Sequence, residues 1–211
     1  MTAKFVNLGR AQKLFVVILF GTLVVAASVW IIFAFKQHAL MQQYDVYSAF
    51  VQETFSEWFQ DSKITVLPIS RDYMSCAGSS LNHSTASERL IWLRKAHPGV
   101  SDDLLIRYYF SFLSHGILLN RFSLPIPTVL VAEEQLDCNK NEWCIEEFIK
   151  RYPSAPGLLR FSHVGFSADG QQAMFEYSYE FCPLCSHGGT VLMEKKSGRW
   201  HVRENFGGWT S

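Results

Sequence analysis

The chain has 211 residues, with 19 basic and 19 acidic side chains and seven histidines; 48% of it is hydrophobic and 18% charged. That balance excludes a disordered, collagenous or low-complexity chain and predicts one domain with an appendage. The zero net charge is a sum of unlike parts. Residues 1–37 carry Lys4, Arg10, Lys13 and Lys36 and no acid, so the remainder holds 15 basic against 19 acidic groups. A mildly acidic remainder argues against a nucleic-acid partner, whose binder should be basic.

The first element is a run of 22 uncharged residues from Leu14 to Phe35. As a helix rising 1.5 Å per residue it reaches about 33 Å, against a hydrocarbon core of ~30 Å. Fifteen of these residues are Leu, Ile, Phe or Val, and their insertion sums to roughly −5 to −9 kcal/mol. The reading is a transmembrane helix over 14–35 behind a cytoplasmic tail, 1–13. The lipid bilayer is thus the first expected partner. Basic residues before the run, and Asp45, Glu53, Glu57 and Asp61 after it, predict an N-in, single-pass protein of a bacterial inner membrane. The rest would then be periplasmic or extracellular. A cleaved signal peptide is the competing reading, with Val25 and Ala27 before a cut. Its core would be unusually long and would leave SVWIIFAF exposed, so an uncleaved anchor is preferred.

No Gly or Pro interrupts the chain between Gly21 and Pro68. Leu40, Tyr44, Tyr47, Val51, Phe55 and Trp58 recur at helical spacing, so residues 36–62 read as an amphipathic helix, either a stalk or a core helix. An exported α+β domain is expected over 63–211. It opens with an extended run at Ile64–Ile69 and a polar loop holding Cys76. Thr85 and Glu88 form a capping box for a helix carrying Leu90, Ile91, Leu93 and Ala96, closed by His97-Pro98-Gly99. Ser101 reads as the N-cap of the next helix, through Leu104, Leu105, Tyr108, Phe112 and Leu113 to Gly116. His115 falls at the favourable end of that helix dipole. Thr128–Ala132 reads as a strand, and 141–152 as a short helix with Ile145, Phe148, Ile149 and Tyr152 inward.

The last fifty residues predict a four-stranded antiparallel meander: Leu158–Phe166, Gln172–Phe181, Thr190–Lys196 and Arg199–Phe206. Its turns are Asp169-Gly170, the CPLCSHGG segment and Ser197-Gly198. In the second strand Ala173, Phe175, Tyr177, Tyr179 and Phe181 alternate with Met174, Glu176, Ser178 and Glu180, which predicts one buried and one wet face. Helices followed by such a sheet suggest, by analogy alone, an NTF2-like cone.

All five cysteines lie beyond the apolar run. In an oxidising compartment Cys138, Cys144, Cys182 and Cys185 are disulfide candidates, and Cys76 is the candidate for an unpaired or intermolecular thiol. A zinc knuckle of Cys182 and Cys185 with His187 or His163 is a weaker alternative, since Cys138 and Cys144 have the wrong spacing for a partner knuckle. A redox CxxC is weaker still, because this motif joins two strands and lacks a helix start to lower a thiol pKa. Two histidine–carboxylate pairs are expected on the polar face, His163 with Glu176 and Glu194 with His201. There is no GxSxG, HExxH, P-loop, GxGxxG or EF-hand loop. No catalytic residue, metal or cofactor is therefore expected.

Tyr152, Pro153, Gly157, Phe161, Ser162, Val164, Gly165, Phe166, Gln172, Ala173, Cys182, Cys185, Gly189, Leu192, Glu194, Lys195, Gly198, Trp200, Trp209 and Ser211 form a combined pattern over about the last 65 residues. It resembles the C-terminal half of an uncharacterised group of bacterial secreted or membrane-tethered proteins. Ser186-His187 departs from that group's turn. The resemblance implies an exported meander and brings no activity or ligand. The function expected is a non-enzymatic module binding a protein or an envelope component. The alternatives are an immunity-type inhibitor of a toxin, and a hydrolase or thiol enzyme using His163 and Glu176 or the Cys182–Cys185 pair.

Overall fold

A computed structural model describes residues 10–73, 86–111, 116–132, 145–182 and 185–210. The chain divides into two compact units, Met1–Gln42 and Gln43–Ser211. Helix α1 (Arg10–Thr54) runs without a break, as the lack of any Pro or second Gly allows. Within its first unit the apolar residues Leu19, Phe20, Leu23, Val25, Val29, Trp30 and Ile31 are all exposed. Among the described residues no helix is long and apolar enough to cross a membrane. The described side chains of this apolar part run from Leu19 to Ile31, fewer than the ~20 residues a span requires.

The second unit begins where α1 becomes amphipathic. Tyr44, Tyr47 and Val51 are buried with Phe50, while Asp45, Gln52 and Glu53 are exposed. A short 3-10 turn, Ser56–Phe59, then brings Trp58 under the same cover. This face lies on a seven-stranded sheet of β1 (Leu67–Ser70), β2 (Thr128–Val131), β3 (Leu158–Phe161), β4 (Gly165–Phe166), β5 (Gln172–Cys182), β6 (Cys185–Lys196) and β7 (Arg199–Thr210). The order is β2-β1-β3-β5-β6-β7, with β4 also pairing with β5. The other helices are α2 (Ala86–Ala96), α3 (Asp102–Ser111) and α4 (Ile145–Arg151).

The segments of the expected meander pair antiparallel, but the sheet has seven strands and not four. β1 is parallel to both β2 and β3, so the sheet is mixed. The run read as one strand, Leu158–Phe166, is two: Phe161 pairs with Tyr177 but Gly165 with Met174, so one extra residue is accommodated between them. Parallel pairing requires long crossovers, and here they pass through α2, α3 and α4. Those helices also overturn the wet face. Met174 and Ser178 are buried, and Met174 packs with Leu192 against Leu93, Leu104, Leu105 and Tyr108 of α2 and α3. Phe148 of α4 packs with Val131 and Leu158. Phe181, expected inward, is 42% exposed, because the register shifts between Glu180 and Cys182. Ile149 of α4 and Ile91 of α2 also face out.

Local signals hold where side chains meet backbone. Ser101 Oγ accepts the Leu104 N–H as an N-cap does. The exposed Arg94 grips Asp102 with two hydrogen bonds across the α2–α3 junction, 2.6 and 2.8 Å. Ser197 and Gly198 both have positive φ, the requirement of a tight two-residue turn between β6 and β7. Thr85 of the expected capping box, with Phe112, Leu113 and His115 beyond α3, lies outside the described residues.

His97, at the end of α2, is 5% exposed and packs edge-on to Phe206. Its Nδ1 has no hydrogen-bond partner among the described residues, and burial pushes its pKa down. The folded state therefore favours the neutral imidazole over the charged one. Above the ordinary histidine value of ~6.5 neither state takes the proton; below it the unfolded chain takes more, so stability falls as pH falls. His187, also lowered by burial, contributes in the same sense. Unfolding by urea at pH 7.5 and 5.5 should show a lower midpoint in acid, and the gap should narrow in His97→Leu. An unchanged gap would remove His97 as a source.

Candidate functional site

Three of the predicted sites can be placed. The Cys182–Cys185 pair is a disulfide at the tip of the β5–β6 hairpin, its cysteines Cα partners across the turn. A four-residue loop is close to the shortest that a bridge can close, and the loop-entropy relation assigns it only ~2 kcal/mol. A disulfide offers no thiolate to a metal. Among the described residues no three His, Cys, Asp or Glu gather as a metal site. His187 lies on the strand behind, inside a ring of Phe55, Tyr177, Tyr179 and Phe181 at 5.0–6.3 Å. The Tyr179 phenol there is pushed up to about 12 by burial, helped by the Glu57 charge; it donates to the Pro156 carbonyl. Cys76, Cys138 and Cys144 lie outside the described residues.

His163 and Glu176 come close to a second cluster, centred on Ser162, which the sequence marks only as one position of the C-terminal pattern. Ser162 is fully buried and sits between β3 and β4. Its N–H donates to the Glu176 carbonyl, its Oγ accepts the Glu176 N–H, and its carbonyl accepts the Tyr47 hydroxyl at 2.6 Å. The Glu176 carboxylate accepts the Tyr108 hydroxyl at 2.9 Å. His163 is stacked on Tyr73, ring centroids 3.5 Å apart, and its carbonyl accepts the Ser111 hydroxyl. Burial raises the Tyr47 and Tyr73 phenols well above their ordinary value. Such groups neither donate nor take protons near neutrality. The cluster ties α1 and α3 to the sheet, and the one-residue slip between β3 and β4 is the reason Ser162 does so.

Glu194 and His201 are Cα partners across the β6–β7 hairpin. Their side chains turn to other partners. Glu194 pairs with Lys196, which holds its carboxyl below the usual range. His201 Nδ1 lies 3.7 Å from Glu53 Oε2 of α1, and that oxygen also accepts the Val202 N–H at 3.0 Å. Glu53 thus covers part of the outer edge of β7.

Between α1 and this hairpin lies a cleft of about 520 Å³. One wall is a single helical face, Asp45, Ser48, Ala49, Gln52 and Glu53; the other is Lys195, Gly198, Arg199, Trp200 and His201. Spacing alone puts the five α1 residues together, at steps of three, four, seven and eight. The floor is held by Ser123, whose N–H donates to Ser48 Oγ and whose carbonyl accepts Gln52 Nε2. Lys195 Nζ lies 5.4 Å from the Trp200 ring centroid, so ring and cation face one another. The carboxylates are all on the helix and the cations all on the hairpin. Asp45 and Arg199 make no ion pair among the described residues. The signal for this site was in the sequence, as the polar stripe between Tyr44, Tyr47 and Val51, but only the fold reveals what it faces.

Comparison with protein-family models, with curated proteins and with solved structures finds no match.

Proposed function

We propose that the chain is a membrane-anchored binding module, held by the apolar part of α1 and presenting residues 43–211 outside the cytoplasm. The observation that carries this is a helix with two unlike surfaces along one unbroken run. From Leu19 to Ile31 its large apolar side chains are exposed, an arrangement that water does not tolerate over such an area. From Tyr44 to Phe55 its apolar face is a domain core. The 22-residue uncharged stretch, the basic residues before it and the disulfide at Cys182–Cys185 agree with an anchor and an oxidising side. Binding is favoured over catalysis because the buried phenols and the Ser162 cluster are engaged in structure, whereas the α1–hairpin cleft leaves the Asp45 and Arg199 charges without an ion partner among the described residues.

The test is fractionation of bacterial cells making the full chain. It should stay with membranes through high salt and alkaline carbonate and leave them in detergent, and deletion of 14–35 should release it. Extraction by salt or carbonate alone would overturn the anchor.

A further inference from the structure

We infer that the α1–hairpin cleft binds a zwitterionic ligand of the peptide class, its ammonium group at the Asp45 wall and its carboxylate at the Arg199 and Lys195 wall. This names the ligand of the binding module proposed above and does not depend on the anchor. Three features of the cleft point the same way. The first is segregation: both carboxylates, Asp45 and Glu53, come from α1, and both permanent cations, Lys195 and Arg199, come from the β6–β7 hairpin. A surface that used these charges for its own cohesion would interleave them, as Arg94 and Asp102 do at the α2–α3 junction.

The second feature is availability. Glu53 is occupied by the Val202 N–H and by His201, while Asp45, two helical turns earlier on the same face, and Arg199 have no ion partner among the described residues. One free charge therefore stands on each wall. The third is size. About 520 Å³ lies within the range of sites that take small organic ligands, ~300–1,000 Å³. A purely anionic ligand would meet Asp45 and Glu53, and a purely cationic one would meet Arg199 and Lys195. A ligand carrying both charges satisfies both walls.

The experiment is calorimetric titration of the full chain in detergent with trialanine, N-acetyl-trialanine and trialanine amide. Trialanine should bind saturably, and blocking either end should weaken it about tenfold or more. Arg199→Gln should bind trialanine and its amide equally, and Asp45→Asn should bind trialanine and its acetyl form equally. Both residues are exposed, so neither change should touch the core. No saturable binding of trialanine, or equal binding of all three peptides by the unaltered chain, overturns the inference. Either result leaves the fractionation test of the anchor standing.

Discussion

Replacing Phe50 by Ala should lower the unfolding free energy of the second unit by ~3–5 kcal/mol, the cost of emptying a well-packed aromatic site. Phe50 is fully buried, with the rings of Tyr177, Phe175, Phe55 and Phe161 at 4.7, 5.3, 5.8 and 6.3 Å. Rings packed at these distances and mixed angles cannot close over a void without leaving their own contacts. In a domain of this size the loss corresponds to a fall in Tm of about 6–20 °C. Denaturant unfolding followed by tryptophan fluorescence would report it, since Trp58 and Trp200 are both buried. A cost below ~1 kcal/mol would mean that α1 merely touches the sheet and does not complete its core.

The second large effect is expected at Gly165. A Cβ built there would stand 2.4 Å from Tyr108 Cα, 2.5 Å from Tyr108 N and 3.0 Å from the Arg107 carbonyl carbon. These are backbone atoms of α3, so no rotamer change relieves the contact; the helix must move off β4. Gly165→Ala should therefore destabilise by about 1–3 kcal/mol, and a larger residue by more. The displacement would separate the Tyr108 hydroxyl from Glu176. Hydrogen exchange should accelerate in α3 ahead of β5 and β6. Uniform acceleration would instead mean that the whole unit had lost stability, with no special role for the α3 contact.

Much of this fold was legible because it rests on short-range signals. The Ser197-Gly198 turn and the Ser101 cap each follow from neighbours in sequence, and both are present in the fold. The errors share one cause. Strict alternation reports that two faces differ, not that one of them is wet. On β5 the second face carries Met174, packed under α2 and α3, and the buried Ser178, while Glu176 reaches the Tyr108 hydroxyl of α3. Parallel pairing of β1 was hidden for the same reason: four residues, Leu67 to Ser70, carry no mark of which strand they will meet.

The candidate site divides similarly. The register of Glu194 opposite His201 was open to arithmetic from the turn. Glu194 turns to Lys196, two residues along its own strand, whereas His201 faces Glu53 of α1, which arrives from more than a hundred residues upstream, and no local pattern records such an arrival. Ser162 stands in the C-terminal pattern without a role, because a serine in a strand-like run looks like a polar interruption. Its importance comes from a slip of one residue in pairing, which shows only once both strands are aligned.

The continuity of α1 has a consequence for the order in which the molecule is made. Tyr47 stacks on Phe161 and meets Phe175 edge-on, so the earliest-made part of the core waits for the latest-made strands. Loop closure over such separations is slow. During synthesis, Tyr44, Tyr47, Phe50 and Phe55 stand as an apolar stripe that still lacks the sheet it packs on, the kind of surface that holding chaperones bind. Stalling translation before β5 should leave a chain that such a chaperone retains, and completing β7 should release it.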